Sequence, residues 1–369
     1  MDKSSAKAGH ASASYPLRVD DKPIATGGDI TLLVPMEASE PNDQEQSGIP
    51  GEGREGSEDE TWSDDASNGS TSVTPSIFCH ESAHGRQYHR FRSGRYPLPN
   101  DDEEMAREQL RHHILQEVLG GRLFLADIGE NPQKIIDLGT GSGVWVIDVA
   151  EQFPSAQVIG TDLSPVQPTW VPINARMLLD DMDEPEWMHG SGYDLVHMRD
   201  MKCAIRDMDE VLVQIYSNLK VGGWVEFQDF LPFFYCADDS IREGSPLAAY
   251  AELTVRGMRE FDCHWFDKDP SDVEEALGRA GFADVRSVTY DVPIGRWMPD
   301  PAARDVGSLV QFYVADTCDV FGAKPLAALG LTDDERARLV GDAKDCLREW
   351  NTQRYLKLSV CYARKGPPA

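Results

Sequence analysis

From residue 105 onward the apolar positions fall into two periods. Leu110, Ile114, Leu115, Val118 and Leu119 share the spacing of one helical face. Asn100 is the expected N-cap, Asp101, Asp102 and Glu103 make an acidic first turn, and Gly120 with Gly121 stops the helix. Lys134–Leu138 is a short apolar run closed by glycines, the pattern of a strand buried on both faces. A helix over 144–153, ended before Pro154, and a strand over 157–161 follow. Strands over 175–179 and 193–197, a helix over 207–219 and a strand over 224–229 continue the alternation. Strands and helices in turn predict parallel βαβ units and a doubly wound sheet. After Asp229 helices dominate, over 246–262, 272–280 and 302–350 with a break near Lys324 and Pro325. Two further strands are expected, over 285–292 and 355–363.

The first 85 residues follow neither period. They hold 16 Asp/Glu against 5 Lys/Arg among Ser, Gly, Pro and Asn. Too little apolar surface is available there to offset chain entropy, so residues 1–85 read as a disordered acidic tail before a domain over 86–369. Ile30–Val34 is a short apolar patch, either incidental or a docking motif through which protein partners meet the tail.

The sharpest chemical signal is Asp137-Leu-Gly139-Thr140-Gly141-Ser142-Gly143 between a strand and a helix. Glycines there let the chain turn and let backbone approach a ligand at the free N–H groups of a helix start. The spacing is G-x-G-x-G. A dinucleotide site wants G-x-G-x-x-G, and Val144 stands where its third glycine would be, which disfavours a nicotinamide dehydrogenase. A carboxylate at Asp137 suits a cationic amino-acid tail, and Asp162, 19 residues past Gly143, suits two ribose hydroxyls. Either aspartate alone is equally a turn or cap residue. Together they describe a ligand with an amine and a ribose, as S-adenosylmethionine has.

The run KIIDLGTGSGVWVIDVAEQFPSAQVIGTDLSPVQPTWVP, with YDLVHMRD and LKVGGWVEFQD after it, resembles the LaeA-like family of fungal methyltransferases. Upstream YHRFRSGRYPLPNDDEE and LRHHILQ, and YLKLSVCYARK near the end, fit the same family, so the resemblance spans about residues 86–369. It implies a seven-stranded, Rossmann-like class I methyltransferase fold with helical insertions after strands 5 and 6, and S-adenosyl-L-methionine as cofactor. Members of this family include regulators of secondary metabolism and enzymes that tailor small natural products. A small-molecule acceptor in fungal secondary metabolism is the expected substrate; the alternative is a LaeA-like regulator or cofactor-binding scaffold controlling secondary-metabolite gene expression.

On that fold Gly139, Thr140, Gly141, Ser142, Gly143, Asp162 and Leu163 are expected at the cofactor. Asp180 and Asp181 follow the third strand and either accept the adenine amino group or form a solvated acidic loop. Met198 and Arg199 end the fourth strand, at the edge that borders the ligand cleft of an open α/β sheet; packing on the sulfonium and anchoring a carboxylate are their expected roles, against ordinary core and surface positions. His112 and His113 lie on the helix before the sheet. Either is a candidate general base, surface and satisfied core being the competing assignments. No metal-ligand spacing occurs among the seven cysteines.

The net charge is -28. Such a surface repels phosphates, so no direct nucleic-acid partner is expected. There is no 18-residue apolar run, so no membrane span is expected, and the first residues lack the apolar core of a secretory signal. Scattered cysteines fit a reducing compartment, cytoplasmic or nuclear.

Overall fold

The computed structural model describes residues 80–367 apart from 93, 95, 185, 186, 239, 350 and 351. The tail assigned to 1–85 therefore lies outside the described residues as far as 79. Its last part does not: β1 (His80–Ala83) and β2 (Arg86–His89) form an antiparallel hairpin. The boundary placed at 85 falls inside that hairpin, and the described fold begins at His80. Three contacts tie it down. Arg86 donates to Asp101 through Nε at 2.7 Å. The Asn100 N–H donates to the Gln87 carbonyl at 2.8 Å. The Lys324 ammonium sits 3.7 Å from the centre of the buried Tyr88 ring.

Helix α1 (Asp102–Val118) comes next, then β3 (Lys134–Leu138), α2 (Val144–Gln152), β4 (Gln157–Asp162), β5 (Ala175–Leu179) and β6 (Tyr193–Arg199). α3 (Met208–Asn218), β7 (Leu219–Phe230) and the two-residue β8 (Tyr235–Cys236) follow. α4 (Pro246–Arg259), α5 (Pro270–Arg279), β9 (Ala283–Pro293), α6 (Pro301–Gly322), α7 (Lys324–Ala328), α8 (Asp333–Leu347) and β10 (Arg354–Arg364) complete the chain. The N-cap of α1 is Asp101, whose side chain accepts the Glu104 N–H; Asn100 instead donates to Ser164 Oγ at 3.2 Å.

β5, β4, β3, β6 and β7 lie side by side in parallel. β10 runs antiparallel between β7 and β9, and β8 pairs with its first two residues. All seven expected strands are present in the class I order, β8 being an addition at the edge. Strand alternation divides the core. Ile135, Val158 and Leu195 pack with Trp145, Val146 and Val149 of α2. Ile136, Val196, Met198, Val225 and Phe227 pack with α3 and α5. A separate core joins α1, α4, α6 and α8 to the first half of β10. Beside α1 and β10 it draws on the helices that follow β7 and β9. No described helix is long and apolar enough to cross a membrane.

Candidate active site

The loop between β3 and α2 turns through three left-handed glycines, Gly139, Gly141 and Gly143, at φ 73°, 53° and 76°. A Cβ on Gly139 would overlap Met201 Sδ, and one on Gly141 would overlap the Glu108 carboxylate. Only glycine fits there, because the Met201 and Glu108 side chains lie directly against the loop backbone.

Asp162 ends β4 facing this loop. Its Oδ2 accepts the Gly141 N–H at 2.8 Å and its Oδ1 accepts the Ser164 N–H at 2.8 Å. Each carboxylate oxygen keeps a second lone pair for a ligand hydroxyl. Burial pushes this carboxyl above its ordinary range. Glu108, in the first half of α1, accepts the Ser142 N–H at 2.7 Å. Burial pushes its carboxyl up to about 7, the Glu104 and Asp162 charges adding to the rise and Arg111 opposing it.

A cavity opens in front of these groups. Gly139, Gly141, Asp162, Leu163, Asp180, Asp181 and Arg199 line it, as the sequence leads one to expect. Tyr96, Asn100, Glu108, Arg111, Asp200 and Met201 line it too, residues to which the sequence assigns no place at a ligand. Asp180 meets His189 Nε2 at 3.2 Å and Asp181 meets Arg92 at 3.1 Å, so the acidic loop after β5 is held at the cavity and is not merely solvated. Thr140, Ser142 and Gly143 shape the loop from behind: Thr140 is buried against Gly160, Ser142 presents its N–H to Glu108, and Gly143 caps α2.

Four candidates sit elsewhere. Asp137 does not face the cavity. It shares strand parity with Ile135, which turns its side chain toward α2, where His197 Nδ1 donates to it at 2.7 Å. The His197 ring in turn stacks on Trp145, centroids 3.8 Å apart. Met198 shares parity with Val196 and is buried in the core beneath α3. His112 is buried with both nitrogens engaged: Nε2 donates to Asp148 at 2.9 Å, and Nδ1 accepts from Arg199 Nη1 at 2.9 Å. Burial lowers its pKa, so it is a neutral ring without a free lone pair. His113 is on the exposed side of α1. Neither histidine can act as a base toward the cavity.

Arg199 follows from this arrangement. Nε and Nη2 donate to Gln228 Oε1 at 3.0 and 2.9 Å, and the third partner is the neutral His112. Burial and the nearby Arg111 hold its guanidinium down at about 10. Arg199 is thus a buried cation at the cavity wall whose hydrogen-bond partners are all neutral side chains. Arg111 pairs with Asp200 at 2.7 Å, and Asp200 itself adopts a left-handed backbone, φ 52°.

A second cavity lies beyond Asp200 under the helical insertions. It shares Tyr96, Arg111 and Asp200 with the first and is otherwise walled mainly by Phe230, Phe234, Tyr250, Phe266, Tyr313 and Phe321. Among the described residues no cluster of side chains could hold a metal ion.

A methyltransferase-domain family model matches residues 110–287. The chain is 34% identical over 277 residues to the methyltransferase pytC of Aspergillus terreus, covering 74% of this chain and 85% of that one. It is 30% identical over 295 residues to the secondary metabolism regulator laeA of Fusarium oxysporum, covering 77% and 92%. It is 27% identical over 282 residues to the probable methyltransferase tdiE of Emericella nidulans, covering 74% and 86%.

Proposed function

Because this chain belongs to the LaeA-like family of fungal S-adenosylmethionine-dependent methyltransferases, we propose that it methylates a small molecule of fungal secondary metabolism held in the aromatic cavity. The residues at the glycine loop fit the cofactor. Asp162 would accept the ribose hydroxyls, Asp180 and Asp181 would meet the adenine, and the left-handed glycines would let its amino-acid part lie on backbone. Arg199 and Arg111 would receive its carboxylate, and Glu108 with Asp200 its amine, the task first assigned to Asp137. When bound, S-adenosylmethionine supplies a methyl group activated by a sulfonium. The protein's contribution is to hold the acceptor in line with that methyl and to keep water out, since such a transfer depends on alignment.

The observation that carries the small-molecule reading is the second cavity. Its aromatic walls are sunk beneath α4 and α6, and it meets the cofactor cavity at Tyr96, Arg111 and Asp200. Enclosed apolar pockets with a few polar groups suit small ligands. Comparing metabolites of cells with and without the gene tests this: one compound should be replaced by a relative lacking a methyl group. An unchanged metabolite profile under conditions of expression would refute it.

A second reading is favoured by coverage of 92% of the laeA relative, whose name is that of a regulator. There the chain would control secondary-metabolite genes through protein partners, the acidic N-terminal segment being one surface for them. For either role we place the protein in the cytoplasm or nucleus. Support comes from the described Cys203, Cys236, Cys318, Cys346 and Cys361, which form no disulfide.

A further inference from the structure

The aromatic cavity holds several polar side chains, and all but one of the charged ones are spoken for. Arg107 pairs with Glu104, Nε to Oε2 at 3.0 Å, and also donates to Thr317. Arg111 pairs with Asp200, which also accepts the Phe230 N–H at 3.1 Å. Lys202 turns its ammonium away to the Lys268 carbonyl at 2.9 Å. Asp229 is the exception. It is 4% exposed, lines the cavity, and its hydrogen bond among the described residues is a long one, 3.3 Å from the Lys202 N–H. Its position is fixed by the sheet. The Asp200 N–H donates to the Gln228 carbonyl, extending the β6–β7 ladder by one residue, so Asp229, on the wall of the aromatic cavity, stands beside Asp200, which lines both cavities.

We infer that Asp229 takes the proton of the acceptor, and that this acceptor is an aromatic molecule bearing a hydroxyl group. The inference rests on the small-molecule reading and goes beyond it. Phe230, Phe234, Phe266 and Tyr313 offer flat apolar faces to a planar ring system. A hydroxyl on that ring, directed toward Asp200 and Asp229, meets in Asp229 a carboxylate that forms no ion pair among the described residues. The acceptor oxygen forms a new bond to the methyl carbon with its lone pair. The methyl–sulfur bond breaks, its electron pair stays on sulfur, and the sulfonium charge is lost. The hydroxyl proton passes to an Asp229 carboxylate oxygen, which becomes neutral. The cavity's thiols cannot serve: burial pushes the Cys203 thiol far up and Cys318 up to about 12, leaving both protonated.

The charge state of Asp229 suits the task. Burial pushes its carboxyl up to about 6, with Asp200 adding to the rise and Lys202 and Arg111 opposing it. The Cys203 and Cys361 thiols also face it, from the turn after β6 and from β10. Near neutral pH the group is mostly ionised and only weakly acidic once protonated, the balance wanted in a general base.

The test uses the full chain saturated with S-adenosylhomocysteine and two probes, 2-naphthol and naphthalene, titrated by calorimetry. Wild type should prefer 2-naphthol by roughly 10- to 100-fold near pH 8, as a hydrogen bond to a charged group implies. That preference should shrink toward about pH 5 as Asp229 is protonated. Asp229→Asn should bind naphthalene and S-adenosylhomocysteine as wild type does, which certifies its fold. Its naphthol preference should be small and flat with pH. An Asn variant that keeps the full, pH-dependent preference overturns the role of Asp229, and so does a wild type that binds both probes equally at every pH. If the small-molecule reading itself is wrong, S-adenosylhomocysteine binds but neither probe does, in wild type and variant alike, and the inference falls with it.

Discussion

Glu108 lies against the glycine loop with its carboxylate on the Ser142 N–H, and burial raises its pKa to about 7. The sign of the consequence is fixed. A carboxyl whose folded pKa exceeds its unfolded value binds a proton more readily in the folded state. Stability is therefore highest below the unfolded value, near 4.5, and falls as pH rises through about 7. The shift corresponds to about 3 kcal/mol. In Glu108→Gln, whose amide oxygen can still accept the Ser142 N–H, this slope should disappear. Melting temperature without cofactor, followed from about pH 5 to pH 8, should fall less in the variant than in wild type. Equal slopes would show that Glu108 does not titrate in this window. The histidines give a second residue-level test. His113→Ala should leave methyl transfer unchanged, while His112→Ala should weaken cofactor binding by releasing Arg199, with the pH dependence of turnover unaltered. A pH profile that loses a limb in His112→Ala would restore that residue as a base. Sequence placed these histidines on the right helix. It could not tell which face each would take, because α1 has polar residues all round and its buried positions include Glu104 and Arg107. Asp137 and Met198 were misread for a related reason. Strand alternation decides which face a side chain takes, and because both parities of these runs are apolar, the sequence does not show that Asp137 shares the α2 face with Ile135 or that Met198 shares the core face with Val196.

At the scale of elements, glycine spacing and apolar runs located β3, α2, β4 and β5 to within a residue, since each is an apolar segment bounded by turn residues. β6 runs two residues past its apolar run because Arg199 is buried and donates to Gln228 on the neighbouring strand, and β7 runs from Leu219 through Gly222 and Gly223 to Phe230. A hydrophobic pattern cannot show such a strand end. Arg111 lies on α1 and Asp200 and Asp229 at strand ends, where a hydrophobic pattern says nothing of which side chains reach a cavity. The glycine loop is the opposite case, being visible as composition. Gly141 is left-handed, and a Cβ would meet the Glu108 carboxylate. Gly141→Val should abolish binding of S-adenosylhomocysteine in calorimetry while far-ultraviolet circular dichroism keeps its native form. The loop joins two elements whose core contacts, from Ile136 and Val146, do not involve it. Retained binding would mean that the cofactor does not use this loop.

At the scale of the whole molecule the question is where the folded unit begins. Composition marked the change at 85, because His80–His89 carries no apolar run and reads as polar chain. The hairpin forms nonetheless, through one buried tyrosine and a few directed contacts that no periodicity reports: Arg86 on Asp101, the Gln87 carbonyl under the Asn100 N–H, and Lys324 over Tyr88. Two truncations should therefore differ. Removing residues 1–79 takes away 15 acidic and 5 basic residues and none of these contacts, so melting temperature and S-adenosylhomocysteine affinity should stay as in the full chain. Removing residues 1–89 also exposes the hydrogen-bonding groups of Asn100 and leaves Asp101, the cap of α1, without its arginine. Loss of a buried aromatic together with a charged hydrogen bond amounts to a few kcal/mol, enough to lower the melting temperature by several degrees or more. Because α1 carries Glu108 and Arg111 into the cavity, cofactor affinity should fall with it. Equal melting temperatures for the two truncations would show that the hairpin is an ornament on the domain. A large drop already on removing 1–79 would show that the acidic segment packs against the domain.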